Sequence, residues 1–120
     1  MAETGRLTTH ILDTAAGLPG ADIAVTLYAI EGEMRRELAR ARTNADGRCC
    51  TPLLQGAAFR PGTYELVFDV ADYFRTRGVA LADPPFLDKI SIRFGIAAAD
   101  QHYHVPLLVS PYAYSTYRGS

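Results

Sequence analysis

Neither sign of charge dominates this sequence: 12 lysines and arginines face 13 aspartates and glutamates, a formal net charge of −1. Proteins that grip DNA, RNA or an anionic membrane carry a basic footprint that this balance does not supply, so no nucleic-acid or membrane partner is expected. No run approaches the roughly 18 apolar residues of a membrane-crossing helix. The opening stretch MAETGRLTTH also lacks the basic-then-apolar order of a secretory signal, which leads to an expected cytoplasmic location. Cysteine is scarce as well, and Cys49 and Cys50 are neighbours in the chain. Their Cα atoms lie about 3.8 Å apart across one peptide bond, short of the usual disulfide span of about 4.4–6.8 Å, so no bond between them is expected. Without a CxxC pair there is no zinc-ribbon or redox motif, and both are read as small thiols, buried or half-buried. The GxSxG elbow, the P-loop and the glycine-rich dinucleotide fingerprint are missing too.

What remains is a chain of 120 residues, 48% hydrophobic, read as one domain over residues 1–120. At this length folding hides roughly two thirds of the unfolded surface, enough for an ordinary core without a metal or disulfide staple. Its dominant pattern is alternation. Ile23, Val25, Leu27 and Ala29 share one face of a strand, as do Tyr64, Leu66, Phe68 and Val70, and again Ile90, Ile92, Phe94 and Ile96. Between these runs lie GLPGAD, NADGR, RPGTY and DPPF, all rich in residues that stop strands. Short strands with frequent turns predict a mainly β fold, a sandwich or a barrel. Two segments differ. VADYFRTRG at 70–78 reads as a two-turn helix closed by Gly78. EMRRELARAR reads as helix by propensity, with Met34, Leu38 and Ala41 on one stripe, although strand neighbours can override that preference.

The chemistry-bearing residues fall on outward faces. In HYHVPLLVS the residues Tyr103, Val105, Leu107 and Val109 form an apolar face, and His102, His104, Pro106 and Ser110 the opposite one. In LTTHILD, His10 points away from the face made by Leu7, Thr9 and Ile11. Imidazoles titrate near neutral pH, so two of them beside a water and a fixed cation can divide general-base and general-acid work. Arg48, after the Asp46–Gly47 turn, is the candidate cation. Three histidines also match the ligand count of some catalytic zinc sites, but HxH is a weak signal in an exposed strand and no acidic base lies nearby in sequence. No metal or cofactor is expected.

At this point LTTHILDTAAGLPGADIAVTLY at the start and HYHVPLLVSPYAYSTYRGS at the end resemble the 5-hydroxyisourate hydrolases, transthyretin-related enzymes of urate degradation. The likeness extends through the DGR turn, PGTYELVFDV with its following helix, and FLDKISIRF. It implies a transthyretin-like β-sandwich of two four-stranded sheets with one short helix, which would place EMRRELARAR in a strand. It also implies a homotetramer whose sites lie in a channel between dimers. Carried over residue by residue, His10, Arg48, His104 and Ser120 match catalytic positions, and Tyr117, Arg118 and Gly119 complete the YRGS signature as substrate-binding positions alongside His10 and Arg48. The implied reaction is metal-free hydrolysis of the N1–C6 bond of 5-hydroxyisourate, with His104 and Ser120 activating water, Arg48 on the ring carbonyls, and His10 positioning substrate or relaying a proton. Which histidine is base and which is acid stays open. His102 has no secure role, and Cys49 and Cys50 have none. The alternatives are a transthyretin-like carrier of small molecules and a generic sandwich used as an interaction module.

Overall fold

The computed structural model describes residues 5–119. Among these described residues nine strands occur in the order β1 (Arg6–Asp13), β2 (Leu18–Pro19), β3 (Ala24–Glu31), β4 (Met34–Arg42), β5 (Leu54–Gln55), β6 (Gly62–Asp69), β7 (Lys89–Ile96), β8 (His102–Val109) and β9 (Tyr114–Thr116). The α-helix α1 (Val70–Thr76) follows β6 directly, and a single 3-10 turn spans Gly56–Ala58. The strands form two sheets, one ordered β2-β1-β8-β9 with β5 also against β1, the other ordered β4-β3-β6-β7. All pairs are antiparallel except β1 with β8. A parallel pair cannot be closed by a tight turn, and here the whole second sheet intervenes between its two strands.

The core lies between the sheets. Leu7, Ile11, Leu107 and Val109 from one sheet meet Leu27, Leu66 and Phe68 from the other, each with no exposed surface. These are the alternate positions read from the sequence, and each such side chain contributes about 1.5–3 kcal/mol when removed from water. Among the described residues no helix is long and apolar enough to cross a membrane.

EMRRELARAR is strand, so its local helix propensity is overturned. Gly32, at φ 64°, opens a two-residue turn between Glu31 and Met34, a conformation suited to a tight hairpin. The hairpin then supplies partners that a helix could not. Arg35 reaches Glu65 on β6 at 3.0 Å while its guanidinium lies 4.2 Å from the centre of the Tyr28 ring, and Arg42 meets Asp22 at 2.7 Å. The pairing of Leu27 with Ala39 and of Tyr28 with Glu37 leaves Leu38 as an extra residue in β4.

The expected four strands per sheet describe the β4-β3-β6-β7 sheet; the other gains a fifth, the two-residue β5, because Leu54 turns its side chain into the core and pairs with Leu7. Helix α1 is where the sequence placed it, with Gly78 at φ 82° just beyond. It buries Val70, Ala71, Tyr73 and Phe74. The Tyr73 hydroxyl donates to the buried Asp13 carboxylate at 2.8 Å, whose other oxygen accepts from the backbone of Ala15 and Ala16, fixing the end of β1. Burial and that carboxylate push the Tyr73 pKa up to about 12, so the phenol stays a donor.

Candidate active site

The parallel pairing of β1 and β8 builds the site. Its register sets Arg6 beside His102, Thr8 beside His104 and His10 beside Pro106. Side chains alternate across a sheet, so the even-numbered residues of both strands share the outer face while Leu7, Ile11, Tyr103 and Leu107 fill the core. Thr9 points inward yet is satisfied, its hydroxyl donating to the Val105 carbonyl at 2.7 Å. On the outer face one hydroxyl joins two histidines: Thr8 Oγ1 lies 2.7 Å from His102 Nε2 and 2.8 Å from His104 Nδ1.

The NADGR turn brings Arg48 to the other edge of β1. The Asn44 side-chain oxygen accepts from the backbone N–H groups of Asp46 and Arg48, at 2.9 and 3.1 Å. Gly47 sits at φ 75°, and a Cβ there would come 2.4 Å from the Ile11 carbonyl oxygen, so the turn presses against β1 as only glycine allows. The Gly47 carbonyl in turn accepts from Ile11 N–H at 2.8 Å, and His10 and Arg48 become bridge partners. His10 Nε2–H donates to the Asp46 carbonyl at 2.9 Å, and its Nδ1 has no hydrogen-bond partner among the described residues.

The tail closes the opposite side. After β9 the chain runs back along β8, and Gly119 N–H donates to the His104 carbonyl at 2.8 Å. A Cβ at Gly119 would lie 2.6 Å from His104 Cδ2, so this glycine is in direct contact with the imidazole. Arg118 holds that path in place: it donates to the Gln101 side chain at 2.9 Å, and its guanidinium lies 4.1 Å from the centre of the Tyr103 ring. Tyr117 and Arg118 line a separate apolar hollow at the sandwich edge with Ile92, Phe94 and Gly95. Of the YRGS signature, then, Gly119 is the residue placed against the His104 ring. Ser120 lies outside them.

The chain and its fold have counterparts among known proteins. A family model described as the HIUase/Transthyretin family matches residues 7–119. This chain belongs to that family. It is 61% identical over 116 residues to a 5-hydroxyisourate hydrolase of Pseudomonas aeruginosa, an alignment covering 97% of this chain and 92% of the relative. The structure of Klebsiella pneumoniae 5-hydroxyisourate hydrolase superposes with a TM-score of 0.78 at 34% identity, covering 97% of this chain and 99% of the other. Sea bream transthyretin, solved in complex with thyroxine, superposes with a TM-score of 0.84 at 26% identity, covering 95% and 94%.

In this member of the HIUase/Transthyretin family, a cleft of about 290 Å³ is lined by Arg6, Thr8, Thr9, Arg48, Cys49, His102 and His104. Burial lowers the pKa of His104 below the ordinary histidine value, and Arg48, His102 and His10 lower it further. His102 is lowered by burial and by Arg6. Both shifts favour the neutral ring, the form that accepts a proton. Among the described residues no three His, Cys, Asp or Glu side chains are grouped as ligands for a metal ion. Cys49, given no role from sequence, forms part of the cleft wall, and burial pushes its thiol pKa up, so it stays protonated and unreactive at neutral pH. Cys50 is exposed. Thr8 is the residue sequence reasoning passed over: it stands in LTTHILD beside other polar residues, and nothing local marks it as the partner of a histidine 96 positions away.

Proposed function

We propose that this chain is a 5-hydroxyisourate hydrolase that opens the six-membered ring of its substrate at the N1–C6 bond, giving 2-oxo-4-hydroxy-4-carboxy-5-ureidoimidazoline. The observation that carries the reading is a neutral imidazole, His104, facing one cleft together with the Arg48 guanidinium, in a chain so similar to enzymes of that name.

Hydrolysis of a cyclic amide-type bond needs an activated water, a stabilised oxyanion and a protonated leaving nitrogen. His104 takes a proton from water as its oxygen bonds to C6. Arg48 donates two parallel hydrogen bonds to the ring carbonyls and offsets the charge that builds on the C6 oxygen. When the tetrahedral intermediate collapses, the N1–C6 bond breaks and N1 receives a proton, leaving C6 as a carboxylate. His10, beside Arg48, positions the substrate or relays that proton, and Ser120 orients the water. Gly119 forms the wall nearest the imidazole, and Tyr117 and Arg118 belong to the substrate site as the residues that carry Gly119 there.

One domain over residues 1–120 performs this chemistry as a homotetramer with its sites between dimers. Edge strands β7 and β9 and the exposed Phe86, Tyr112 and Tyr117 support that assembly, since a polar outer face becomes a water-limited pocket when a second copy covers it. A cytoplasmic location is part of the same proposal, checked by cell fractionation. The deciding experiment mixes protein with freshly generated 5-hydroxyisourate. Faster loss of its ultraviolet band than in buffer is expected, and an unchanged decay with saturable binding would make the protein a carrier.

A further inference from the structure

We propose that Thr8 is a positioning residue that sets the tautomer of His104: its hydroxyl accepts from His104 Nδ1–H and donates to His102 Nε2, leaving the His104 Nε2 lone pair free toward the cleft. This rests on the hydrolase reading above, and it assigns the proton acceptor that sequence left open.

The geometry restricts the choices sharply. A hydroxyl has a single hydrogen, and Thr8 Oγ1 is within 2.8 Å of one ring nitrogen on each histidine. With both rings neutral, and with no third partner for the hydroxyl among the described residues, it donates to one nitrogen and accepts from the other. In the first arrangement the Thr8 hydrogen goes to His104 Nδ1; His104 then carries its proton on Nε2, and His102 Nε2–H donates to Thr8. In the second the directions are reversed, and His104 Nε2 is bare.

Charge and chemistry favour the second. Nδ1 is committed to Thr8, and Nε2 of His104 has no hydrogen-bond partner among the described residues. Arg48 lines the same cleft and contributes to the lowered basicity of His104. A lone pair beside a guanidinium is favourable, whereas an N–H beside it is not. The first arrangement would also leave His104 unable to act: its free nitrogen already bears hydrogen, and neutral imidazole N–H is far too weak an acid to release it. In the second, Nε2 takes the proton from water with nothing else moving, because Nδ1–H already points at Thr8 and the hydroxyl hydrogen at His102. The resulting cation is stabilised through the same chain. His102 thereby gains a role as the acceptor that orients Thr8.

The same logic makes His104 depend on a register contact. Thr8 faces His104 across the parallel pair, and His102 is the next residue of β8 on that face. Without the hydroxyl, neither tautomer of His104 is preferred by this end of the ring, and the productive form loses population.

The test compares the wild-type protein with Thr8→Val, which keeps the shape and removes the hydroxyl, and Thr8→Ser, which restores it. Imidazole nitrogen NMR distinguishes the protonated from the bare ring nitrogen directly. In the wild type His104 is expected to show a protonated Nδ1 and a bare Nε2; Thr8→Val should shift it toward the Nε2–H form, and Thr8→Ser should recover the wild-type pattern. Turnover by Thr8→Val should fall about ten- to a hundredfold in kcat with little change in KM, and return with Thr8→Ser. A wild-type spectrum with hydrogen on Nε2 overturns the proposal without any mutant, and so does a Thr8→Val protein with unaltered tautomer and kcat. The spectrum is read without substrate, so an inactive wild type would refute the hydrolase reading while the tautomer question is still decided.

Discussion

Replacing Gly119 with alanine adds one methyl group at the point where the tail meets the His104 imidazole. The new Cβ would stand 2.6 Å from His104 Cδ2, 3.3 Å from Cγ and 3.4 Å from Cβ. Carbon atoms pack best at about 3.5–4.0 Å, so the shortfall at Cδ2 is about 1 Å, and either the tail or the ring must yield by that much. The ring resists, because Thr8 holds its Nδ1 at 2.8 Å and the β1–β8 ladder holds its backbone. The tail resists through the Gly119 hydrogen bond to the His104 carbonyl and the Arg118 contacts. Gly119 does not occupy the left-handed region, so alanine brings no backbone strain and the whole effect is displacement. A misplacement of about 1 Å at a reacting group costs about a hundredfold in rate. Gly119→Ala is therefore expected to lose about that factor in kcat, measured by the ultraviolet decay of 5-hydroxyisourate. Its thermal midpoint should move little, since the site lies on the outer face and no core contact is lost. Full turnover with unchanged circular dichroism would show that the tail does not bear on the imidazole during reaction and would refute the reasoning.

Three further outcomes are expected. His104→Asn and Arg48→Ala should each lower kcat/KM by at least about a hundredfold while the proteins stay folded, checked by the same assay and by circular dichroism; near-normal rates in either would remove that residue from the mechanism. Because burial and then Arg48, His102 and His10 lower the His104 pKa, the ring stays an acceptor below the ordinary histidine value of about 6.5. A pH–rate profile should accordingly hold up through that value on the acid side before falling; the same shift contributes stability that is present above the unfolded pKa and is lost as pH falls from there through the lower folded pKa, since the unfolded chain then binds more protons. Dialysis against a chelator should leave turnover intact, and loss of activity restored by zinc would return the three-histidine metal reading.

Much of this protein is written in local pattern. Alternating apolar residues at 23–29, 64–70, 90–96 and 103–109 fix which faces are buried, because a strand has a period of two and water penalises the wrong face. The turns at 44–48 and the helix at 70–76 follow from residues whose backbone preferences act within a few positions, and His10, His102 and His104 were legible as outward residues for the same reason. Tertiary structure decided what depends on partners distant in sequence. It made EMRRELARAR a strand, since the cross-strand contacts of Arg35 and Arg42 and the hairpin at Gly32 outweigh a propensity of a few tenths of a kcal/mol per residue. It sent Arg118 to Gln101 and Tyr103, and it left Gly119 against the imidazole. It also set Thr8 between two histidines, through a parallel register that no periodicity in either strand specifies: alternation says which face a side chain takes, and only pairing says which side chain stands next to it.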